Sequence, residues 1–155
     1  MDISMILIPV DFSDCALIGL NYAKELTKKW QAELILIHVV DAKSTKYIAN
    51  YLKEPIEKIK ERLINQAKQN MRQFIKQNAS KELIKNTIVC YGRPFQEIAI
   101  KARELQVDII LMGGYGSLGM GQIDEIFFGS TVEKVARLLP CPVLCVPMGW
   151  TNVKT

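Results

Sequence analysis

Short apolar runs alternate with helix-like segments along almost the whole chain, and this alternation is the strongest constraint on its fold. The runs are rich in Ile, Val and Leu, as is typical of strands buried on both faces of a sheet. They are Met5–Val10, Glu33–Val40, Leu83–Tyr91, Val107–Met112 and Pro142–Val146. Helix-length connections between consecutive strands require parallel pairing through right-handed crossovers. The sequence therefore predicts the order βαβαβαβαβ and an α/β fold.

The connections between these strands complete the expected architecture. Helices are expected after an N-cap at Ser13 or Asp14, over Glu54–Asn78, after Pro94 and after Gly129, whereas Asp41–Lys53 is interpreted as a polar connection. We expect a doubly wound, open five-stranded parallel sheet, Rossmann-like, with strand order 3-2-1-4-5 and helices on both faces. The 155 residues are enough for one domain. We place that domain at 1–147 and a C-terminal tail at 148–155.

The charge and hydropathy of the chain exclude several classes of protein. Lys and Arg number 20 against 16 Asp and Glu, and the basic residues between Lys53 and Lys85 alternate with acidic ones. Such a solvated helix face does not indicate a nucleic-acid partner. No apolar run approaches the roughly 18 residues of a membrane span, and the N-terminus lacks the pattern of a secretion signal. We therefore expect a cytoplasmic protein without a membrane partner.

The cysteines and the histidine do not form a metal-binding pattern. The chain has four cysteines and one histidine, namely Cys15, Cys90, Cys141, Cys145 and His38. No two cysteines have the C-x2-C spacing of a zinc site, so no metal ligand is predicted. We expect buried, reduced thiols. A single histidine at a strand end is interpreted as structural.

Glycines concentrate at the edge of the sheet where such folds bind ligands. Five of the nine glycines lie within Gly113–Gly121, directly after the fourth predicted strand. Glycine lets backbone N–H groups converge on an anion. Further on, Gly129, Ser130 and Thr131 begin the last predicted helix, whose N-terminus also favours a phosphate. The combination predicts a nucleotide site at the carboxyl ends of the strands.

These motifs resemble those of the universal stress proteins. ATP-binding members have Gly-x2-Gly, nine residues, and then Gly followed by Ser or Thr, and Gly116–Gly119, Met120–Phe128 and Gly129–Ser130 match that spacing. Five other segments are similar to the family as well, namely Ile8–Ser13, His38–Val40, Gly92–Pro94, Ile110–Gly113 and Cys141–Pro147. One departure concerns the family's first motif glycine, which usually follows the strand methionine directly. In this sequence the residue at that position is Gly113. Counted from there, the loop is about three residues longer than usual.

The resemblance implies roles for residues at matching positions. It implies that Asp11 hydrogen-bonds the nucleoside, that Pro9 and Val39 flank the base, and that Met112 and Gly113 border the ribose. The phosphates would be held by Gly116, Gly119, Gly129, Ser130 and Thr131, and Val10 and Ser13 complete the expected nucleotide site. The implied ligand is ATP or another adenine nucleotide, with or without Mg²⁺. Two alternatives stay open, namely that Asp11 is a turn or cap residue and that Met112 belongs to the core.

The last strand is the expected dimer interface. An uncovered apolar edge strand invites pairing with another chain. In the family that this sequence resembles, the last strand pairs antiparallel with its own copy. We therefore expect a homodimer through Val143, Leu144, Cys145 and Val146.

The leading hypothesis is a dimeric, adenine-nucleotide-binding regulator of a stress response with an unidentified protein partner. The glycines are not followed by the Lys of a Walker A loop, Ser130 has no evident base, and no catalytic residue is assigned. Little or slow ATP hydrolysis is expected. The alternatives are a dimeric interaction module without nucleotide and an adenylyl-transfer enzyme of the related α-hydrolase architecture, for which the signature lysine and His-x-Gly-His motif are missing.

Overall fold

The computed structural model describes residues 2–80, 82–114, 129–138 and 140–148 of the chain. Strands and helices alternate along these segments. The strands are β1 (Met5–Pro9), β2 (Glu33–Asp41), β3 (Ile84–Gly92), β4 (Ile109–Gly113) and β5 (Val143–Val146). The helices are α1 (Asp14–Trp30), α2 (Ala42–Leu52), α3 (Ile56–Asn78), α4 (Pro94–Glu104) and α5 (Ser130–Leu138).

The described strands form one parallel sheet in the order β3-β2-β1-β4-β5. This confirms the predicted fold class and strand order. Strands β2 and β3 lie on one side of β1, and β4 and β5, which come later in the chain, lie on the other side. The strand order therefore reverses between β1 and β4, which is where sheets of this kind bind ligands.

Alternation along each strand divides the core into two layers. Ile6 and Ile8 of β1 point into a layer covered by α1 and α3, which contribute Leu20 and Met71. Leu7, between them, points into the opposite layer. That layer is covered by α4 and α5, which contribute Ile98, Ala102, Val132 and Val135. Burying each such aliphatic side chain stabilises the fold by about 1.5–3 kcal/mol, so both faces of the sheet must stay covered.

The segment expected to be a polar connection contains a helix, and that expectation was wrong. Asp41 caps α2, because its carboxylate accepts from the backbone N–H groups of Lys43 at 3.3 Å and Ser44 at 3.1 Å. Thr45 and Ala49, four residues apart, are buried on the inner face of the helix. These two small residues give no strong apolar periodicity, so a hydropathy pattern alone could not identify the helix.

The expectation of buried thiols holds for only one of the four cysteines. All four are free; Cys15 is buried, whereas Cys90, Cys141 and Cys145 are half-buried. Cys90 lies on edge strand β3 and Cys145 on edge strand β5, where fewer neighbours cover a side chain. Partial burial still raises the pKa of these three thiols, so they are weaker nucleophiles than a fully solvated cysteine.

Candidate functional site

The candidate site lies at the carboxyl ends of β1 and β4, where the strand order reverses. Leu7 of β1 pairs with Ile110 of β4, so continuing along both strands brings Pro9 and Met112 to the same edge of the sheet. Pro9 also pairs with Ile37 of β2, which brings Val39 to that edge. The helices that follow these strands, α1 and α5, begin at the same edge on opposite faces of the sheet.

A tight turn connects β1 to α1. Asp11 Oδ1 accepts hydrogen bonds from the Ser13 backbone N–H at 3.1 Å and from Ser13 Oγ at 2.5 Å. Ser13 in turn accepts from the Ala16 N–H at 3.3 Å and caps α1. Asp11 therefore has the turn-forming role that the sequence left open. Its carboxylate is nevertheless exposed at the edge of the sheet, in an orientation fixed by these bonds.

Phe12 and His38 hold this turn, and sequence reasoning did not identify their contribution to the site. Phe12 has a φ of 64°, which is unusual for a bulky residue. Its ring stacks on His38 with centroids 4.6 Å apart and contacts Phe74 edge-on. The backbone strain is of order 1–3 kcal/mol, and the two ring contacts offset it. A φ value cannot be inferred from a lone Phe in the sequence.

His38 links β2 to the same turn through its ring. Its Nδ1 lies 2.7 Å from the Val10 carbonyl oxygen, so this nitrogen carries the proton and donates. Burial lowers the pKa of His38, against smaller opposing effects of the Val10 bond and the Asp11 charge. The neutral imidazole is therefore the form that the folded site favours. This supports the structural interpretation of His38.

On the β4 side, two glycines allow α1 to lie directly on the strand end. A Cβ atom added at Gly113 would lie 2.2 Å from the Cys15 carbonyl oxygen. One added at Gly19 would lie 3.2 Å from the Gly113 nitrogen. Gly113 is therefore required by the packing of α1 on β4. The same contact brings the turn at Asp11 close to the end of β4.

The two ends of the segment between β4 and α5 are hydrogen-bonded to each other. The Gly114 N–H donates to the Val146 carbonyl at 2.8 Å, and the Gly129 N–H donates to the Gly114 carbonyl at 3.2 Å. Gly129 also accepts from the Glu133 N–H at 3.1 Å and so starts α5. This places the first turn of α5 beside the end of β4. Gly116 and Gly119 lie outside the described residues.

The remaining expected site residues differ in exposure. Pro9 and Val39 are half-buried at the strand ends, and Val10 is buried. Ser130 is exposed and Thr131 half-buried in the first turn of α5. Met112 is only 5% exposed and packs in the layer under α4 and α5, so its side chain has the core position that the sequence left open.

The last strand is at an edge of the sheet, as expected. Val143, Leu144 and Cys145 are half-buried, whereas Val146 is 2% exposed and belongs to the core. Beside the strand is an open depression of about 270 Å³, lined by Val132, Glu133, Ala136, Arg137 and Cys145. Val143, Leu144 and Cys145 thus remain available for a contact with another chain, whereas Val146 does not.

Neither a metal-binding cluster nor a membrane-spanning helix is present in the described part of the chain. No three His, Cys, Asp or Glu side chains there are grouped so that they could hold a metal ion. No helix in the same segments is sufficiently long and apolar to cross a bilayer.

Comparison with known proteins places the chain in a family. A sequence model of the Universal stress protein family matches residues 3–147. The chain is 31% identical over 153 residues to Universal stress protein MJ0577 of Methanocaldococcus jannaschii, covering 91% of this chain and 93% of the relative. It is 31% identical over 145 residues to Universal stress protein YxiE of Bacillus subtilis, covering 90% and 96%.

Solved structures agree with the sequence comparison. The structure of MJ0577 superposes with a TM-score of 0.79 at 30% identity, covering 99% of this chain and 100% of that one. A universal stress protein solved in complex with cAMP superposes with a TM-score of 0.58 at 19% identity, covering 96% and 100%, which shows a shared fold. With the family match and these relatives, the chain is a member of the universal stress protein family.

Proposed function

We propose that this universal stress protein is a cytoplasmic regulator that binds ATP or another adenine nucleotide between β1 and β4. The observation that carries the proposal is the Gly129–Gly114 hydrogen bond of 3.2 Å, which holds the first turn of α5 at the switch point. The N–H groups of a first helical turn have no partner within their helix and favour an anion. Ser130 and Thr131 add hydroxyl donors there.

The β1 side supplies the groups suited to a nucleoside. The Asp11 carboxylate is held in place by two hydrogen bonds from Ser13, and an ionised carboxylate is an acceptor-only group. Ribose hydroxyls and the adenine amine are donors that such a carboxylate can bind. Pro9 and Val39 offer half-buried apolar surface for the base on either side of the β1 end. Within the same fold, one universal stress protein is known in complex with cAMP.

Binding rather than turnover is the proposed activity. Asp11 is assigned to the nucleoside in this proposal, and His38 uses its Nδ1 to hold Val10. Mg²⁺ would enter with the nucleotide phosphates. We propose little or slow hydrolysis, with the bound nucleotide acting as a signal read by a protein partner.

We also propose that the protein works as a homodimer through β5. Val143, Leu144 and Cys145 keep exposed area on an edge strand that pairs only with β4 among the described strands. Antiparallel pairing of two β5 strands would satisfy the outer backbone groups of both. Light scattering at micromolar concentration tests this, and a monomer would contradict it.

Titration calorimetry with ATP, ADP, AMP and cAMP tests nucleotide binding. Asp11→Asn keeps an acceptor for Ser13 but removes the charge, and we expect affinity to fall by about tenfold or more. Asp14→Asn is the matched control, since it removes the same charge from the first turn of α1. Absence of heat and of a thermal shift with millimolar nucleotide would refute the proposal.

The second candidate is a dimeric interaction module that binds no nucleotide. The observation in its favour is the loop after β4, which is about three residues longer than the family spacing. The ultraviolet spectrum of the purified protein separates the two candidates, because co-purified nucleotide adds absorbance that the protein alone lacks.

A further inference from the structure

The outer face of α2 exposes two tyrosines to an unusual degree. Tyr47 is 72% exposed and Tyr51 is 77% exposed, and they lie one helical turn apart. The opposite face of the helix is buried through Thr45 and Ala49. The tyrosines therefore contribute nothing to the core that would explain their position. We call the surface formed by Lys43, Lys46, Tyr47, Asn50, Tyr51 and Lys53 the α2 face.

The α2 face is positively charged. Lys43, Lys46 and Lys53 are exposed, and none of them forms an ion pair with a described residue. The helix itself contains no Asp or Glu. The nearest acidic residue that follows, Glu54, is already bound to Lys58 at 2.6 Å. A ligand that contacts the tyrosines therefore also meets three lysines that form no ion pair with a described residue.

Two exposed aliphatic side chains occur where α2 ends and α3 begins. Leu52 is 43% exposed and Ile56, at the start of α3, is 38% exposed. Exposed aromatic side chains such as Tyr47 and Tyr51 are enriched at the centres of protein–protein interfaces. Nucleic-acid backbones gain little from aliphatic contacts, and the phenol and amide groups at the centre of the face limit how much apolar surface it could insert into a bilayer.

The face is also held rigid before any partner arrives. Asp41 caps the helix through Lys43 and Ser44, and Thr45 Oγ1 donates to the Asp41 carbonyl at 2.8 Å. At the other end, the Lys53 N–H donates to the Asn50 carbonyl at 3.3 Å. A preformed surface avoids the cost of ordering on binding.

We propose that the α2 face binds an acidic, amphipathic segment of another protein. Tyrosine provides large contact area with few rotatable bonds, and the lysines would steer acidic residues to it. A second copy of this chain is a poor occupant, because a two-fold contact through α2 would place lysines against lysines. The inference does not depend on nucleotide binding, since it uses no residue of the β1–β4 site.

Selection from a displayed random-peptide library on nucleotide-free protein tests the proposal. We expect the enriched peptides to be acidic, with aromatic or aliphatic residues between the acids. Their binding, measured by fluorescence anisotropy, should weaken as salt increases. Tyr47→Ala combined with Tyr51→Ala should weaken it by about tenfold or more. Both side chains are mainly exposed, so this variant should unfold at a temperature close to that of the wild type.

A charge reversal tests whether peptide binding depends on the lysines of the α2 face or only on the net positive charge of the protein. Lys43→Glu combined with Lys46→Glu should weaken peptide binding by about tenfold or more. Lys68→Glu combined with Lys76→Glu makes the same charge change on exposed positions of α3, and should leave binding nearly unchanged. No enrichment, enriched peptides without acidic residues, or equal losses in both variants would overturn the proposal. So would binding of a single-stranded oligonucleotide or an anionic phospholipid vesicle that the α2 variants abolish while peptides fail to bind.

Discussion

Gly113→Ala tests whether the contact between α1 and β4 fixes the geometry of the site. The added Cβ would lie 2.2 Å from the Cys15 carbonyl oxygen, whereas ordinary contacts begin near 3.4 Å. The obstacle is backbone, so the first turn of α1 has to move away from the strand by about 1 Å. Overpacking of this kind costs about 1–3 kcal/mol, and a backbone obstacle favours the upper half of that range. We expect the free energy of unfolding to fall by about 2–3 kcal/mol.

Urea unfolding followed by far-ultraviolet circular dichroism measures this change, with an unaltered slope expected against denaturant. The melting temperature should fall by roughly 4–12 °C in a domain of this size. Gly19→Ala is the matched control, because it adds a methyl group to the same contact from the helix side at 3.2 Å. Alanine also has a helix propensity more favourable than that of glycine by about 1 kcal/mol. This gain should offset the tighter contact and keep the free energy of unfolding close to that of the wild type. Equal stability of Gly113→Ala and the wild type would refute the packing argument.

Three further changes test hydrogen bonds away from this contact. Burial lowers the pKa of His38, so the unfolded chain binds the proton more readily than the folded protein does. The free energy of unfolding should therefore fall as the pH drops below about 6.5. His38→Gln should flatten that pH profile in thermal melts. Hydrogen bonds from Ser4 and Met5 lower the pKa of Asp108. The ionised carboxylate therefore stabilises the fold above the ordinary pKa of an aspartate, and this stabilisation is lost as acid protonates the group. Asp108→Asn should modestly lower the melting temperature at neutral pH. Thr45→Val removes a buried bond to the α2 cap and should cost about 1 kcal/mol in urea unfolding.

The fold could be predicted because its strands are buried on both faces. Continuous apolar runs such as Met5–Val10 have few other structural explanations, and helix-length connections then require parallel pairing. Helix α2 escaped prediction for the opposite reason. Its buried positions, Thr45 and Ala49, are small, and its outer face has exposed tyrosines, so its hydropathy does not follow the helical period. The capping carboxylate of Asp41 was the available signal.

The position of the candidate site residues at one edge of the sheet could be predicted from the sequence, but their contacts only in part. Strand ends and helix starts follow from the pattern, so Asp11, Gly113 and Gly129 were expected at one edge of the sheet. The stacking of Phe12 on His38 depends on a positive φ and on three elements meeting, which no local sequence pattern contains. The loop glycines suggested anion binding, whereas the requirement that the structure shows at Gly113 is one of packing, the close approach of Cys15.

The extra length of the loop after β4 is a weak argument against nucleotide binding. Its two ends are joined by the Gly129–Gly114 hydrogen bond, so the added residues lie between fixed points. The free energy of loop closure rises only with the logarithm of the number of residues, so about three more residues change it by a few tenths of a kcal/mol. The first turn of α5 keeps its place beside β4 at that small cost. If the proposed nucleotide site is correct, Ser130 and Thr131 should contribute more to phosphate affinity than the length of the loop, so substitutions there are the more informative test.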